Sequence, residues 1–237
     1  MKAFILAAGK GERLGSLTDT TPKPMLKVAG KPVLEHNILM CKRSGVKEIF
    51  INLHYLPDKI KNYFGDGSKL GINIQYNYEP ELLGTAGGLL FFLDDFKEEK
   101  YYVIYGDNYT KFELSDLKDY HESVDSEFTV ALHWVDDIRQ SGMPELGNNG
   151  EIFKFVEKPK IDYVEAGWVN AGIYIINPGT IDSLIKHNSD FAYDIIPQML
   201  RRKQKIYGYK IKHNFWRIDT PKLLRSANSE LNPFCKQ

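Results

Sequence analysis

Lys2-Ala3-Phe4-Ile5-Leu6-Ala7-Ala8-Gly9-Lys10-Gly11-Glu12-Arg13-Leu14-Gly15 is an apolar run broken by three glycines. A short apolar segment that ends in turn residues reads as a strand buried on both faces. Helical spacing follows over 31–44, through Val33, Ile38, Leu39 and Cys41. The opening is therefore strand, glycine loop, helix. The theme recurs, with strands at 48–53, 73–76 and 101–105 and helices at 57–64 and 86–92. Such alternation implies right-handed βαβ crossovers and a mainly parallel sheet covered on both faces. From 128 onward strand-like runs dominate, at 128–134, 152–156, 168–176 and 206–212, which predicts a sheet extension or an antiparallel addition. Helices at about 192–202 and 221–228 close the pattern, and neither a Pro/Ser/Gly-rich linker nor an internal repeat interrupts it. The expectation is an α/β three-layer fold with a mixed, mainly parallel central sheet, in one domain over 1–230 with a tail at 231–237.

Bulk properties narrow the partners. The 237 residues suffice for one sizeable core. Lys plus Arg and Asp plus Glu each number 31, so the chain lacks the electrostatic footprint of a general nucleic-acid binder, and any phosphate site must be local. Cys41 and Cys235 match no metal or redox spacing, and the six histidines form no metal spacing and pair with no Ser or Cys nucleophile. The apolar start carries one basic residue and ends in glycines rather than a cleavage site, so it reads as a strand and not an export signal. No stretch reaches the roughly 18 apolar residues of a membrane helix. A soluble, cytoplasmic protein with no nucleic-acid or membrane partner is expected.

The loop after the first strand carries the first chemistry. Glycines there let backbone N–H groups approach a triphosphate closely, because no Cβ intervenes and positive φ is inexpensive. Arg13, and Lys23 in Thr21-Pro22-Lys23-Pro24-Met25, supply positive charge beside such a cradle. A dinucleotide-binding oxidoreductase fits less well: Gly15 falls one place late for G-x-G-x-x-G, and the second strand, Ile49-Phe50-Ile51-Asn52-Leu53-His54, ends without a carboxylate for the ribose. A kinase-type P-loop fails because Lys10 lacks both the spacing and the following Ser or Thr.

Ala7-Ala8-Gly9-x-Gly11-x-Arg13-Leu14 with Pro22-Lys23-Pro24 resembles the signature of the sugar-1-phosphate nucleotidyltransferases, or nucleotide-sugar pyrophosphorylases. Four more motifs follow in that family's order over about residues 1–230. Leu83-Gly84-Thr85-Ala86-Gly87-Gly88 resembles its second nucleotide-contacting loop and Gly106-Asp107-Asn108 its metal motif. Phe155-Val156-Glu157-Lys158-Pro159 resembles its sugar-phosphate motif, and Asn170-Ala171-Gly172-Ile173-Tyr174 its sugar-contacting strand. The resemblance implies a Rossmann-like fold of the nucleotide-diphospho-sugar transferase type, a nucleoside triphosphate and a sugar 1-phosphate as substrates, Mg²⁺ as cofactor, and a homodimer. A catalytic domain alone, without a regulatory module, is the expectation.

Carried onto this chain, the resemblance assigns the nucleotide to Leu6, Ala7, Ala8, Gly9, Gly11, Arg13, Lys23, Gly84 and Thr85. It assigns the sugar phosphate to Lys158, sugar hydroxyls to Glu157, and further sugar contacts to Gly142, Asn170 and Gly172. Arg13, Lys23, Asp107 and Lys158 are the catalytic candidates. Asp107 follows the strand at 101–105 and so sits at a carboxyl end of the sheet, where open α/β folds place ligands; a carboxylate there suits Mg²⁺. A turn-forming Asp after Gly106 is the plain alternative. Asp219 is the second metal candidate, although alignment on Thr220-Pro221 without a gap puts Arg217 at the expected place. The shorter Ile218-Asp219-Thr220-Pro221 form resembles that of related cytidylyltransferases, whereas the 83–88 loop and Phe155–Pro159 resemble guanylyltransferases acting on mannose- or heptose-type 1-phosphates. GTP comes first, with CTP, UTP or TTP on another sugar phosphate or phospho-alcohol, or a non-catalytic relative, as alternatives.

Overall fold

The computed structural model describes residues 1–231, so Cys235 and the expected tail beyond Leu231 lie outside the described residues. In chain order the main elements are β1 (Lys2–Leu6), α1 (Val33–Arg43), β2 (Glu48–Leu53), α2 (Pro57–Phe64), β3 (Asn73–Tyr78), β4 (Tyr101–Tyr105), β5 (Asn108–Thr110) and α3 (Leu114–Ser123). They continue with β6 (Phe128–Val135), β7 (Gly142–Leu146), β8 (Ile152–Glu157), β9 (Gly167–Ile176), α4 (Ile196–Arg201), β10 (Ile206–Lys210), β11 (Phe215–Arg217) and α5 (Pro221–Leu231). Among the described residues seven strands form the mixed, mainly parallel sheet expected from the alternation. Contacts divide the described residues into two compact units, one of 1–82, 104–112 and 213–231, the other of 83–103 and 113–212.

In the first unit β1 pairs in parallel with β2, Leu6 opposite Asn52, and β2 with β3. Phe4, Ile5, Phe50 and Ile51 are fully buried, as strands covered on both faces require. A two-stranded antiparallel ribbon sets β11 against β5, Arg217 opposite Asn108, and Ile218 N continues it by donating to Asp107 O at 3.2 Å. Leu14, Leu26, Val28, Val33, Tyr109, Ile218 and Ala227 pack into one apolar cluster beneath it.

In the second unit β9 runs antiparallel to β6 and β10 parallel to it, the antiparallel addition foreseen from the strand-rich half. β7 and β8 form a separate antiparallel pair. The helix expected at 86–92 is instead one α-turn, Gly84–Gly87, followed by a 3₁₀ turn, Gly88–Phe91; adjacent glycines at 87 and 88 weaken a continuous helix. The helix expected at 192–202 begins as a π-turn, Phe191–Ile195, before α4. Strands β5, β7 and β11 and helix α3 went unforeseen. Three-residue strands are too short to show alternation, and β7 carries Gly142 and Pro144. No described helix is long and apolar enough to cross a membrane.

Candidate active site

Charged side chains from distant parts of the sequence converge in the first unit. Lys23, only 8% exposed, donates from Nζ to Asp107 Oδ2 and to Asp219 Oδ1, the latter at 2.6 Å. Arg13 lies 3.3 Å from the same Asp219 oxygen, and Arg217 Nε lies 3.9 Å from the other. Burial alone would pull the Lys23 ammonium toward neutrality, but the two carboxylates outweigh it and raise its pKa above the ordinary value. For Asp219, burial pushes the pKa up, yet Lys23, Arg13 and Arg217 more than offset it, and the net shift is downward.

Local structure explains the convergence. Each charged residue stands beside a buried apolar anchor: Leu14 next to Arg13, Leu26 three residues after Lys23, Tyr109 two after Asp107, Ile218 next to Asp219. The anchors join one cluster, so burying them brings the charges to one place. The β5–β11 register does the rest, because pairing Ile218 with Asp107 leaves Asp219 at the mouth of the ribbon. Arg217, the ungapped alternative, faces the Asp219 carboxylate rather than replacing it.

The glycine loop is built around this cluster. Gly11 holds φ +73°, and a Cβ there would lie 2.8 Å from Lys23 Cβ, so the missing side chain makes room for the lysine stem. At Gly9 a Cβ would meet nothing, which leaves the loop open on that side. A Cβ at Gly106 would lie 2.6 Å from Leu6 O, to which Gly106 N donates at 2.9 Å. Asn52, 1% exposed, accepts from Ala7 N at 2.9 Å and donates to the buried Glu79 carboxylate at 2.8 Å, which commits the Ala7 amide and fixes where the loop leaves β1. Neither Asn52 nor Glu79 was singled out from the sequence. An amide inside the apolar run Ile49–Leu53 was the available signal, since a polar group there needs partners.

In the second unit Gly84 takes φ +77°, with Ser189 O where a Cβ would go, and Ala86 N and Gly87 N donate to that oxygen at 2.9 and 3.2 Å. Thr85 Oγ1 donates to Asp190 Oδ2 at 2.8 Å and accepts from Phe191 N at 2.9 Å, so its hydroxyl is engaged within the protein. β8 ends at Glu157, and Lys158 turns left-handed at φ +49° with its N donating to Ser141 O at 3.1 Å. Gly142 stands opposite Glu157 in the β7–β8 ladder, and a Cβ on it would lie 2.5 Å from Glu157 Oε2. Asn170 donates to Tyr174 OH at 2.7 Å and accepts from Gly172 N at 2.9 Å, across the irregularity that interrupts the β9–β6 ladder. The structure thus groups Arg13, Lys23, Asp107 and Asp219 in one unit. It groups Gly142 with Glu157 and Lys158, Asn170 with Gly172, and Gly84 with Thr85, in the other.

The sequence profile of the family described as nucleotidyl transferase matches residues 2–230, and this chain belongs to that family. It is 31% identical over 214 residues to the UTP–glucose-1-phosphate uridylyltransferase of Synechocystis sp., covering 84% of this chain and 55% of that one. It is 34% identical over 221 residues to mannose-1-phosphate guanylyltransferase 1 of Arabidopsis thaliana, covering 91% and 60%. The chain thus spans rather more than half the length of these curated relatives. Among solved structures, HddC from Yersinia pseudotuberculosis, complexed with GMP-PN, superposes with a TM-score of 0.81 at 26% identity over 98% of this chain and 99% of that one. A proposed glucose-1-phosphate thymidylyltransferase from Bacillus anthracis shares the fold with a TM-score of 0.88 at 22% identity over 98% and 96%. The sugar-1-phosphate nucleotidyltransferase resemblance in the motifs and the Rossmann-like fold expectation both agree with these findings.

Proposed function

We propose that this chain joins a nucleoside triphosphate to a sugar 1-phosphate, releasing pyrophosphate and forming a nucleotide sugar, with residues 1–230 acting as one catalytic domain in the cytoplasm. The observation that carries this reading is the Lys23 ammonium held between Asp107 and Asp219 beside the open glycine loop. Those two carboxylates already converge on one cation, and Mg²⁺ takes one or two protein carboxylates with the remainder from phosphate oxygens and water, so the donor set fits that ion. When bound, Mg²⁺ would neutralise charge on the reacting phosphates. Lys23 and Arg13 stabilise the departing pyrophosphate, and Lys158 holds the sugar phosphate whose oxygen attacks the α-phosphate in line. That nucleophile is an anion at neutral pH, so no strong general base is needed.

GTP with a mannose- or heptose-type 1-phosphate is the first substrate pair, supported by the Leu83–Gly88 and Phe155–Pro159 motifs and by the guanylyltransferase among the relatives. The Ile218-Asp219-Thr220-Pro221 ending favours CTP as a second reading, and the uridylyltransferase relative keeps UTP in the comparison. Pyrophosphate release, measured with each common triphosphate crossed against hexose, heptose and amino-sugar 1-phosphates plus Mg²⁺, tests the proposal. One preferred pair is expected; silence across the whole panel would leave a non-catalytic sugar-nucleotide binder. A homodimer is proposed as the working assembly, to be read by light scattering.

A further inference from the structure

Two segments of the second unit adopt uncommon backbone forms, and their side chains meet. Lys158 sits at φ +49°, a conformation that a residue with a side chain keeps only where its surroundings impose it, and such residues cluster at functional sites. Phe191–Ile195 is a π-turn, another form concentrated at functional sites. This turn is pinned at its start: Asp190 Oδ1 accepts from Ala192 N at 2.7 Å and Tyr193 N at 3.1 Å, while Thr85 Oγ1 holds Oδ2. The pinned turn presents Tyr193, a residue 57% exposed whose ring centroid lies 6.0 Å from Lys158 Nζ. A large aromatic left this far in water contributes little to a core. An ammonium over a ring face is held by the ring quadrupole, and the exposed remainder is a rigid apolar plate beside it.

We propose that Tyr193 is a positioning and specificity-determining residue for the sugar 1-phosphate. Its ring steadies the Lys158 ammonium, and its open surface packs against the C–H face of a pyranose whose phosphate that ammonium holds. The proposal rests on Lys158 as the sugar-phosphate residue and adds a group that none of the five sequence motifs contains.

Binding of mannose 1-phosphate, measured calorimetrically with α,β-methylene GTP present, tests it without requiring turnover. Tyr193→Ala should weaken that affinity about tenfold while analogue affinity stays within about twofold, and Tyr193→Phe should behave as wild type, because the ring and not the hydroxyl acts. Unfolding temperature should not move, since the ring is exposed; if the Ala variant is unstable, Tyr193→Leu keeps apolar bulk without the π-face and should lose affinity likewise. Unchanged affinity in both variants overturns the proposal even where the enzyme is active. Tyr193-dependent binding without pyrophosphate release in any pair supports it while overturning the proposed reaction. Absence of wild-type binding for every hexose, heptose and amino-sugar 1-phosphate, each tried with the α,β-methylene analogues of GTP, CTP, UTP and TTP, overturns both.

Discussion

The two units hold their chemistry in opposite ways. In the first, charges lock one another: Lys23 bridges Asp107 and Asp219, and Arg13 and Arg217 flank the second carboxylate. In the second, the backbone does the placing. Lys158 and Gly172 are left-handed, and Gly84 and Gly142 are small because neighbouring atoms fill the space a Cβ would need. The difference teaches what each tolerates. Removing the one ammonium that both carboxylates of the first unit share strands the pair, whereas a methyl added to the second collides with fixed atoms.

The largest expected effect breaks the first unit's chemistry while sparing its shape. Asp107→Asn should reduce pyrophosphate release by about 10²–10³-fold or more, with a circular dichroism spectrum and melting curve like the wild type, because Asp219 still neutralises Lys23. Undiminished turnover would remove Asp107 from the mechanism. Next, Lys23→Met should lower stability in urea by about 3 kcal/mol, since two largely buried carboxylates would face each other without an ammonium; a loss below about 1 kcal/mol would show that water screens the pair.

In the second unit, Gly84→Ala should destabilise by about 2 kcal/mol, because the methyl meets the Ser189 carbonyl at a left-handed position. Full stability in a thermal melt would mean that the 189–191 segment yields easily. Lys158 offers a finer separation. Lys158→Gly and Lys158→Ala should both raise the KM for sugar 1-phosphate, yet the glycine variant should be more stable by about 1 kcal/mol, since only alanine retains the left-handed penalty. Equal stabilities would refute a strained backbone at this position.

The smallest effect is on pH dependence. Asp219 titrates below its ordinary 3.8 in the folded chain, so its contribution is complete above that value and disappears as pH falls through the depressed folded pKa. Lys23 titrates above its ordinary 10.5, so its contribution is complete below 10.5 and disappears as pH rises through the raised folded pKa. The cluster should therefore add nothing to the slope of stability at neutral pH. A urea midpoint that shifts between pH 6 and 8 identically in wild type and Lys23→Met would place the source elsewhere, with the half-buried His36 and the buried His121, both of whose pKa values burial lowers, as the groups to examine.

Much of the fold was legible. The apolar runs at 2–6, 48–53 and 101–105 are strands within a residue or two of their expected bounds, and α1 and α2 follow their spacing. The glycines of the first loop were read for their permissiveness, and Gly11 has the positive φ that justifies it. Less visible was the reason Gly11 matters, which is the Lys23 stem lying against it. Asn52 and Glu79 were passed over because one amide in an apolar strand and one acid at the next strand's end are individually ordinary; only the parallel pairing of β2 with β1 and β3 joins them.

Residue types and local periodicity were enough to specify alternating strands and helices, glycines where the chain turns, and which charged groups were available for phosphate chemistry. Those properties are carried by neighbours a few positions apart. Which of those groups meet was decided by packing and register. That Asp219 meets Lys23 while Arg217 lies beside the Asp219 carboxylate follows from a three-residue ribbon, β5 with β11, and from burial of Leu14, Tyr109 and Ile218 in one cluster. Such a ribbon is too short to announce itself in the chain, and its pairing becomes favourable only once the apolar anchors on either side are already buried together.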